Sequence, residues 1–181
     1  MHLPTPIRTL HVLAIAFFAA ASSCIAADDV AAFAGLTRRL LAGQAAQVKG
    51  ELLQGTGGGD RFELENVGKD LVVRGNNANS MAVGLNHYLR YYCKTNISWY
   101  ANNPVQVPKV LPTLADKVTR SARCENRFFL NYCTFGYTMP WWQWRDWERL
   151  IDWMALNGVT MPLAITGQEA IWYKIWSDLG L

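Results

Sequence analysis

Hydrophobic and polar positions alternate with two different periods along the first half of the chain. Residues 28–42 carry apolar side chains at helical spacing, and the acidic pair Asp28 and Asp29 precedes them in the position of a helix cap. Residues 62–65 alternate between apolar and charged side chains, which indicates a half-buried strand. Residues 71–74 predict a second short strand. The pattern therefore predicts one helix followed by two strands.

A second helix and two more strands are predicted next. Residues 81–92 carry an apolar stripe with the spacing of one helix face, and residues 76–80 supply residues that cap its start. His87 lies off this stripe, so we expect it on a solvated face. Short apolar runs at 97–100 and 105–111 resemble strands. This order of elements predicts a small α/β layer, with the helix covering one face of an antiparallel or mixed sheet.

The last third of the chain changes character. Residues 127–135 and 159–165 are compact apolar runs of strand length, and a helical pattern over 141–157 separates them. A further helical pattern begins after Gly167. Because a crossover helix joins parallel strands, the order strand, helix, strand, helix predicts a parallel pair.

The helix predicted over 141–157 has two unlike faces. The apolar face, which we expect to be buried, contains Trp144, Trp147, Ile151, Met154 and Ala155. The opposite face contains Arg145, Glu148, Arg149 and Asp152, and we expect the two acidic residues to be solvated or ion-paired.

Residues 1–27 have the pattern of an export signal. Arg8 is followed by an apolar run over 10–21 and then by small residues, so cleavage is expected after Ala26 or Ala27. The run is too short to span a bilayer, which needs roughly 20 apolar residues. Lipidation at Cys24 is the alternative. Either route predicts an exported protein: periplasmic, secreted or surface-anchored in a bacterium, and lysosomal or secreted in a eukaryote. The predicted domains are then 28–116, with a linker at its end, and 120–181.

Composition narrows the functional classes. The 181 residues are 51% hydrophobic and 17% charged, with a net charge of +3, which disfavours disorder and gives no electrostatic reason to expect nucleic acid. Seven of the eight Trp lie in the last quarter of the chain, at positions 141, 142, 144, 147, 153, 172 and 176. We expect most of them to pack, whereas Trp141 and Trp142 precede the helix and have the better claim to a pocket.

The three Cys that follow the signal are Cys93, Cys124 and Cys133. No two of them have the spacing of a zinc site, and an odd number leaves at least one free thiol. A Cys93–Cys124 disulfide is one option that the sequence leaves open. We expect neither a metal nor a cofactor.

The last third of the chain is rich in Trp and has the order strand, helix, strand, helix. In an exported protein this combination favours a (β/α)₈ barrel that acts on sugars at the carboxyl ends of its strands. The motifs NYCT (131–134), WWQWRDWER (141–149), IDWMALNG (151–158) and GQEAIW (167–172) resemble the α-N-acetylglucosaminidases, family 89 of the glycoside hydrolases. LVVRG (71–75) and GLNHYLR (84–90) match the small α/β domain of that family more loosely.

The resemblance implies an exo-acting retaining hydrolase that removes terminal α-linked N-acetylglucosamine from glycans such as heparan sulfate or mucin-type chains. It also implies a small α/β domain, a (β/α)₈ barrel and a helical C-terminal domain, with two catalytic Glu on later barrel strands. Both Glu are expected downstream of Leu181, so no catalytic residue is assigned here. Glu125 and Glu169 are not substitutes, and Glu169 is expected to orient its loop or cap a helix.

The resemblance carries two substrate-binding residues over to this sequence, Asn131 and Cys133. Two residues apart on one strand, they would point to the same side, towards the pocket. The competing interpretation is that Asn131 caps backbone groups and Cys133 is a small buried residue.

On this basis we expect the N-terminal part of an exported α-N-acetylglucosaminidase, containing the first two β/α units of a barrel interrupted at Leu181. The alternatives are a short glycan- or partner-binding module and a different sugar hydrolase on the same barrel start.

Overall fold

A computed structural model of the chain describes residues 28–55, 58–101, 104–165 and 167–181. The predicted signal over 1–27, with Cys24, lies outside the described residues. Residues 28–41 are helical (α1) and lead into a 3₁₀ turn at Ala42–Gln47. The later helices are α2 (Ala78–Tyr91), α3 (Thr134–Tyr137), α4 (Trp144–Leu156) and α5 (Gln168–Asp178). The strands are β1 (Val48–Leu52), β2 (Arg61–Val67), β3 (Asp70–Gly75), β4 (Val118–Ser121), β5 (Phe128–Phe129) and β6 (Met161–Pro162).

The first four strands form one mixed sheet in the order β1-β3-β2-β4. β1 runs parallel to β3, while β2 is antiparallel to both β3 and β4. Helix α2 packs on β2 and β3 with Met81, Leu85 and Leu89, which are fully buried. Asn77 caps this helix, because its side-chain oxygen accepts a hydrogen bond from Ser80 N–H at 2.8 Å. The predicted small α/β layer is therefore present.

Helix α1 completes the core of this layer. Phe33, Leu36 and Leu41 are buried in the same apolar cluster as α2 and the sheet. The ring of Phe33 lies over Gly50 of β1, so close that a Cβ at Gly50 would be 2.4 Å from the ring. The carboxylate of Asp29 accepts a hydrogen bond from Ala78 N–H at 3.0 Å, which ties the first turn of α1 to the start of α2.

The two strands predicted at 97–100 and 105–111 are wrong. Neither segment pairs with a neighbour, and instead their apolar residues, such as Ile97 and Val107, pack partly buried against the core. The sheet is completed by β1 and β4, which were not predicted. The predicted domain boundary, between 116 and 120, overlaps β4 (Val118–Ser121), which is a strand of the first sheet.

The second part of the chain has the predicted order of elements with shorter strands. β5 and β6 are parallel, with Phe128 opposite Met161 and Phe129 opposite Pro162, and α4 lies between them in sequence. Each strand covers two residues, because the chain turns into α3 and towards α5 soon after the pairing. Gly158, with a φ of 70°, ends α4 in the left-handed conformation that glycine adopts without strain.

The orientation predicted for α4 is wrong. Trp144 is 68% exposed and Ile151 is 46% exposed, whereas Leu150, Leu156 and Asp152 are buried. The helix turns its acidic residues towards α1, where Arg39 forms ion pairs with Asp152 and Glu148. Glu148 and Asp152 were predicted to be either solvated or ion-paired, and the structure shows that they are ion-paired.

Three further polar connections join α4 and its C-terminal turn to the first layer. Asn86 of α2 donates a buried hydrogen bond to Leu156 O at 2.8 Å, and Asn79 donates to Val159 O at 3.2 Å. The guanidinium of Arg127 bonds both to the Asp60 carboxylate and to Gly158 O. β5 therefore begins from a residue that is fixed to the first layer. Among the described residues, no helix combines the length and apolar character needed to cross a membrane.

Candidate functional site

The carboxyl ends of β5 and β6 lie side by side at one edge of the parallel pair. Leu163 N–H, just beyond β6, donates to Phe129 O at 2.8 Å, so the pairing continues to the last residue of β5. Two connections leave this edge: residues 130–143, which lead through α3 to α4, and residues 163–167, which lead to α5. In parallel α/β structures this edge is where sites are built.

Asn131 lies in the turn that follows β5. Its side-chain oxygen accepts hydrogen bonds from Thr134 N–H at 3.2 Å and from the Thr134 hydroxyl at 3.0 Å. The side chain thus holds the start of α3, as the capping interpretation expects. Because the oxygen is used in this way, the Nδ2 amide is the donor that this exposed residue offers to a ligand.

Cys133 immediately precedes α3 and is exposed. The competing interpretation, in which Cys133 is a small buried residue, is therefore wrong. The geometric argument that paired it with Asn131 is also wrong, because β5 ends at Phe129 and both residues lie in the turn rather than on a strand. The turn nevertheless keeps them two residues apart on the same connection.

The three thiols that the structure describes differ in exposure. Within the described residues Cys93, Cys124 and Cys133 are all free, so the disulfide option between Cys93 and Cys124 is not realised. Cys93 is buried beside Tyr88, and burial raises the pKa of its thiol. Cys124 is exposed, and it precedes β5.

Acidic groups are sparse around this edge. The sequence has no Asp or Glu between Leu130 and Gln143, or between Leu163 and Gly167. Glu169 lies in the first turn of α5 and is exposed, a position in which its charge favours the helix dipole. Glu125 precedes β5, where its carbonyl accepts a hydrogen bond from the Thr160 hydroxyl. Among the described residues no cluster of His, Cys, Asp and Glu is arranged to hold a metal.

Aromatic rings connect this edge to the first layer. Phe129, the last residue of β5, contacts Trp153 of α4 with ring centroids 5.1 Å apart. Trp153 in turn meets Trp99, and Trp99 meets Trp142 edge-on at 5.8 Å. Trp142 is therefore half-buried in a cluster, whereas its neighbour Trp141 is 85% exposed.

Sequence reasoning missed the aromatic residues that surround the turn. Tyr132 is 69% exposed between Asn131 and Cys133, and Tyr137 of α3 is 68% exposed. The Tyr137 hydroxyl lies 3.5 Å from the Thr134 hydroxyl. Trp99 was also missed, because the segment around it was predicted as a strand of the first sheet. The aromatic composition of residues 129–142 was the one signal available.

Comparison with known proteins gives a consistent result for both parts of the chain. Residues 31–113 match the α-N-acetylglucosaminidase N-terminal domain, and residues 127–181 match the α-N-acetylglucosaminidase tim-barrel domain. Human α-N-acetylglucosaminidase is 38% identical over 160 residues, which are 86% of this chain and 21% of the human protein.

Solved structures agree with this result. A family 89 glycoside hydrolase from Clostridium perfringens, in complex with 2-acetamido-1,2-dideoxynojirimycin, superposes with a TM-score of 0.82 at 28% identity. That match covers 98% of this chain and 20% of the Clostridium chain. The Clostridium enzyme in complex with its substrate GlcNAc-α-1,4-galactose gives the same TM-score at 29% identity, over 88% of this chain and 18% of that one. The chain thus spans about a fifth of the length of these relatives.

Proposed function

The chain belongs to the α-N-acetylglucosaminidases, family 89 of the glycoside hydrolases, and we propose that it serves the hydrolysis of terminal α-linked N-acetylglucosamine from glycans by an exo-acting, retaining mechanism. The described residues contribute the N-terminal domain and one side of the sugar site. Heparan sulfate and mucin-type chains are the two glycan classes proposed as substrates, and export follows from the signal pattern at 1–27.

We assign β5-α4 and β6-α5 as the first two β/α units of a (β/α)₈ barrel. The parallel pairing of β5 with β6 and the match of residues 127–181 to the barrel domain support this assignment. The carboxyl ends of the two strands then belong to the barrel face on which catalytic sites are built.

The catalytic carboxylates are proposed to lie outside these 181 residues. A retaining glycosidase needs two carboxyl groups roughly 5–5.5 Å apart, one as nucleophile and one as acid/base. The connections that follow the two strands, residues 130–143 and 163–167, contain no Asp or Glu. Glu169, in the first turn of α5, cannot form a pair alone. The 181-residue chain is therefore expected to leave an aryl α-N-acetylglucosaminide intact.

One observation carries the sugar site: Asn131 is exposed in the turn after β5, and Thr134 fixes its side-chain oxygen, so the amide is the donor that the residue offers. A fixed amide donor is suited to a sugar hydroxyl or to the carbonyl of an N-acetyl group. Cys133, exposed on the same turn, is proposed as the neighbouring contact.

Two substitutions at Asn131 separate this role from helix capping. Asn131→Asp keeps an oxygen for Thr134 and removes the amide donor, whereas Asn131→Ala removes both. With saturation-transfer NMR on the full chain, we expect N-acetylglucosamine binding to be lost in both variants, while only Asn131→Ala lowers the melting temperature. Full sugar binding by Asn131→Asp would show that the residue is only a cap.

Cys133 permits an independent test, with Cys124 as its control in the same molecule. Both thiols are exposed, but only Cys133 lies on the proposed sugar turn. N-acetylglucosamine should slow alkylation of Cys133 by iodoacetamide and leave Cys124 unaffected, as followed by peptide mass spectrometry. Equal rates with and without sugar at Cys133 would contradict its proposed role.

A further inference from the structure

A cavity lies between the first layer and the loop that leads into α4. Its volume is about 280 Å³. The residues that line it come from two separate parts of the chain: Trp99, Tyr100, Thr138, Trp142, Asp146 and Arg149. Neither Asn131 nor Cys133 is among them, so the cavity is distinct from the sugar turn.

The aromatic side of this cavity is exposed and yet held in place. Tyr100 is 75% exposed, and its ring meets Trp99 edge-on with centroids 5.0 Å apart and an interplanar angle of 74°. Trp99 is fixed by Trp142, which is itself braced by Trp147 at 5.0 Å. A supported aromatic ring that faces solvent offers an apolar surface at low entropic cost, as the C–H face of a sugar ring requires.

The polar side of the cavity provides both donors and acceptors. Asp146 uses Oδ2 to accept a hydrogen bond from Gln143 N–H at 3.0 Å, which fixes the carboxylate at the start of α4. Thr138 adds a hydroxyl and Arg149 a guanidinium. Sugar hydroxyls both donate and accept, so they suit this combination. One acidic and one basic side chain leave the lining without net charge, which favours a neutral ligand over a sulfated or uronic one.

A series of aromatic contacts connects the cavity to the end of β5. Trp99 contacts Trp153 with centroids 6.5 Å apart, and Trp153 contacts Phe129 at 5.1 Å. Phe129 is two residues before Asn131 in the chain. Thr138 and Trp142, which line the cavity, also lie on the same connection as Asn131.

We propose that this cavity is a subsite for a neutral saccharide unit, with Tyr100 as the stacking surface and Asp146 as the hydroxyl acceptor. This inference rests on the proposed function and on its mucin-type alternative, since it takes the subsite to hold a neutral unit that follows the terminal N-acetylglucosamine, where heparan sulfate has a uronic acid. It assigns a binding role to the N-terminal domain, because Trp99 and Tyr100 belong to that side of the cavity.

The test compares two probes on the full chain by saturation-transfer NMR titration. The probes are N-acetylglucosamine and the disaccharide GlcNAc-α-1,4-galactose. Tyr100→Ala and Asp146→Asn are the test variants, and Tyr173→Ala is the control, because Tyr173 on α5 is 77% exposed and lies away from the cavity. Circular dichroism confirms that each variant keeps its fold.

We expect the disaccharide to bind the unmodified chain about tenfold more tightly than the monosaccharide, and Tyr100→Ala to remove that gain. Monosaccharide binding should stay unchanged in Tyr100→Ala and Tyr173→Ala. A disaccharide that binds no better than the monosaccharide, or that loses affinity equally in Tyr173→Ala, would overturn the subsite.

Free galactose and galactose 6-sulfate distinguish this inference from the proposed function. If galactose binds and Tyr100→Ala abolishes its binding while N-acetylglucosamine shows none, the cavity is a saccharide site and the proposal for Asn131 has failed. Tighter binding of the sulfated sugar than of galactose would contradict the assignment of a neutral ligand.

Discussion

Arg39 of α1 and Asp152 of α4 form a two-point ion pair across 113 positions of sequence. Nε of Arg39 lies 2.8 Å from Oδ2 of Asp152, and Nη2 lies 2.6 Å from Oδ1. The Asp152 side chain is only 9% exposed, whereas that of Arg39 is 42% exposed. The pair therefore neutralises a nearly buried carboxylate at the junction of the two helices. The hydrogen bond to Asp152 is also the main cause of the raised pKa of Arg39.

Removing Arg39 is expected to destabilise the protein more than removing one residue of an exposed ion pair. Arg39→Ala leaves the Asp152 carboxylate buried without its partner, so the free energy of unfolding should fall by about 2–3 kcal/mol. Lys174→Ala is the control, since Lys174 pairs with Asp178 on the exposed face of α5. It should cost about 0.5 kcal/mol or less in the same urea titration. Equal losses would mean that the buried pair adds no stability of its own.

Asp60 should make stability depend on pH in the acidic range. Burial by itself would raise the pKa of Asp60, but hydrogen bonds from Arg127 and Asn77 outweigh burial and lower that pKa below its ordinary value of 3.8. The charged carboxylate therefore stabilises the fold above pH 3.8, and this contribution is lost as the pH falls through the lowered pKa.

Asp60→Asn tests this contribution. The variant should be less stable than the unmodified chain at pH 7, by about 1–2 kcal/mol, and the difference should shrink as the pH falls below about 4. Thermal unfolding followed by circular dichroism from pH 7 to pH 2 measures it. A stability difference that is constant over this range would contradict the ion pair with Arg127.

His87 should make the stability of the fold depend on pH in a range above that of Asp60. Sequence analysis placed it on a solvated face, but its ring is half-buried against Phe62 and Tyr91, with centroids 5.4 and 4.5 Å away. Burial lowers the pKa of His87 below its usual 6.5, and the charges of Arg120 and Arg90 lower it further.

Because the neutral imidazole is the favoured form in the fold, its contribution to stability is complete above pH 6.5 and declines as the pH falls below that value. His87→Phe keeps an aromatic ring and cannot be protonated. The melting temperature of this variant should fall less between pH 7 and pH 5 than that of the unmodified chain. Identical pH profiles would show that His87 is not sheltered from water.

Gly75 is expected to tolerate no side chain. A Cβ at this position would lie 2.6 Å from the backbone nitrogen of Met81 and 3.0 Å from the carbonyl carbon of Ser80, which are backbone atoms of α2. Gly75→Ala must therefore separate β3 from α2, at a cost of about 2–3 kcal/mol in the free energy of unfolding.

Gly136 provides the matched control for Gly75. It lies in α3, and a Cβ there would meet no atom within 4 Å apart from its chain neighbours and the backbone of its own helix. Gly136→Ala should be neutral or stabilising by up to about 1 kcal/mol, since alanine favours the helix. A comparable loss in both variants would indicate that the contact between β3 and α2 is not the cause.

The sequence predicted those elements whose periodicity reflects local burial. The alternation at 62–65 and the stripe beginning at Met81 correspond to β2 and α2, because each has one face against the same core. β1 was missed since Gly50 interrupts its pattern, and that glycine is present because the ring of Phe33 occupies the space of a side chain.

Contacts between distant segments were beyond sequence reasoning. The buried face of α4 was predicted from the spacing of Trp144 and Ile151, but the partner that attracts the opposite face is Arg39, more than a hundred residues away. The runs at 97–100 and 105–111 are apolar because they cover the core, and no neighbouring strand edge receives them. At the candidate site, the family motif identified Asn131 and Cys133, whereas the strand geometry assumed for them was wrong.

The sheet order β1-β3-β2-β4 also determines when the fold can be completed during synthesis. The edge of β2 that receives β4 is made about 50 residues before β4 itself. At ribosomal rates of about 5–20 residues per second, that edge waits roughly 3–10 s for its partner. The nascent chain thus has an unpaired strand edge of the kind that promotes association between chains, and a chaperone that shields it would act in this interval. Pairing of β4 with β2 then closes the edge just before Arg127, bonded to Asp60, fixes the start of β5.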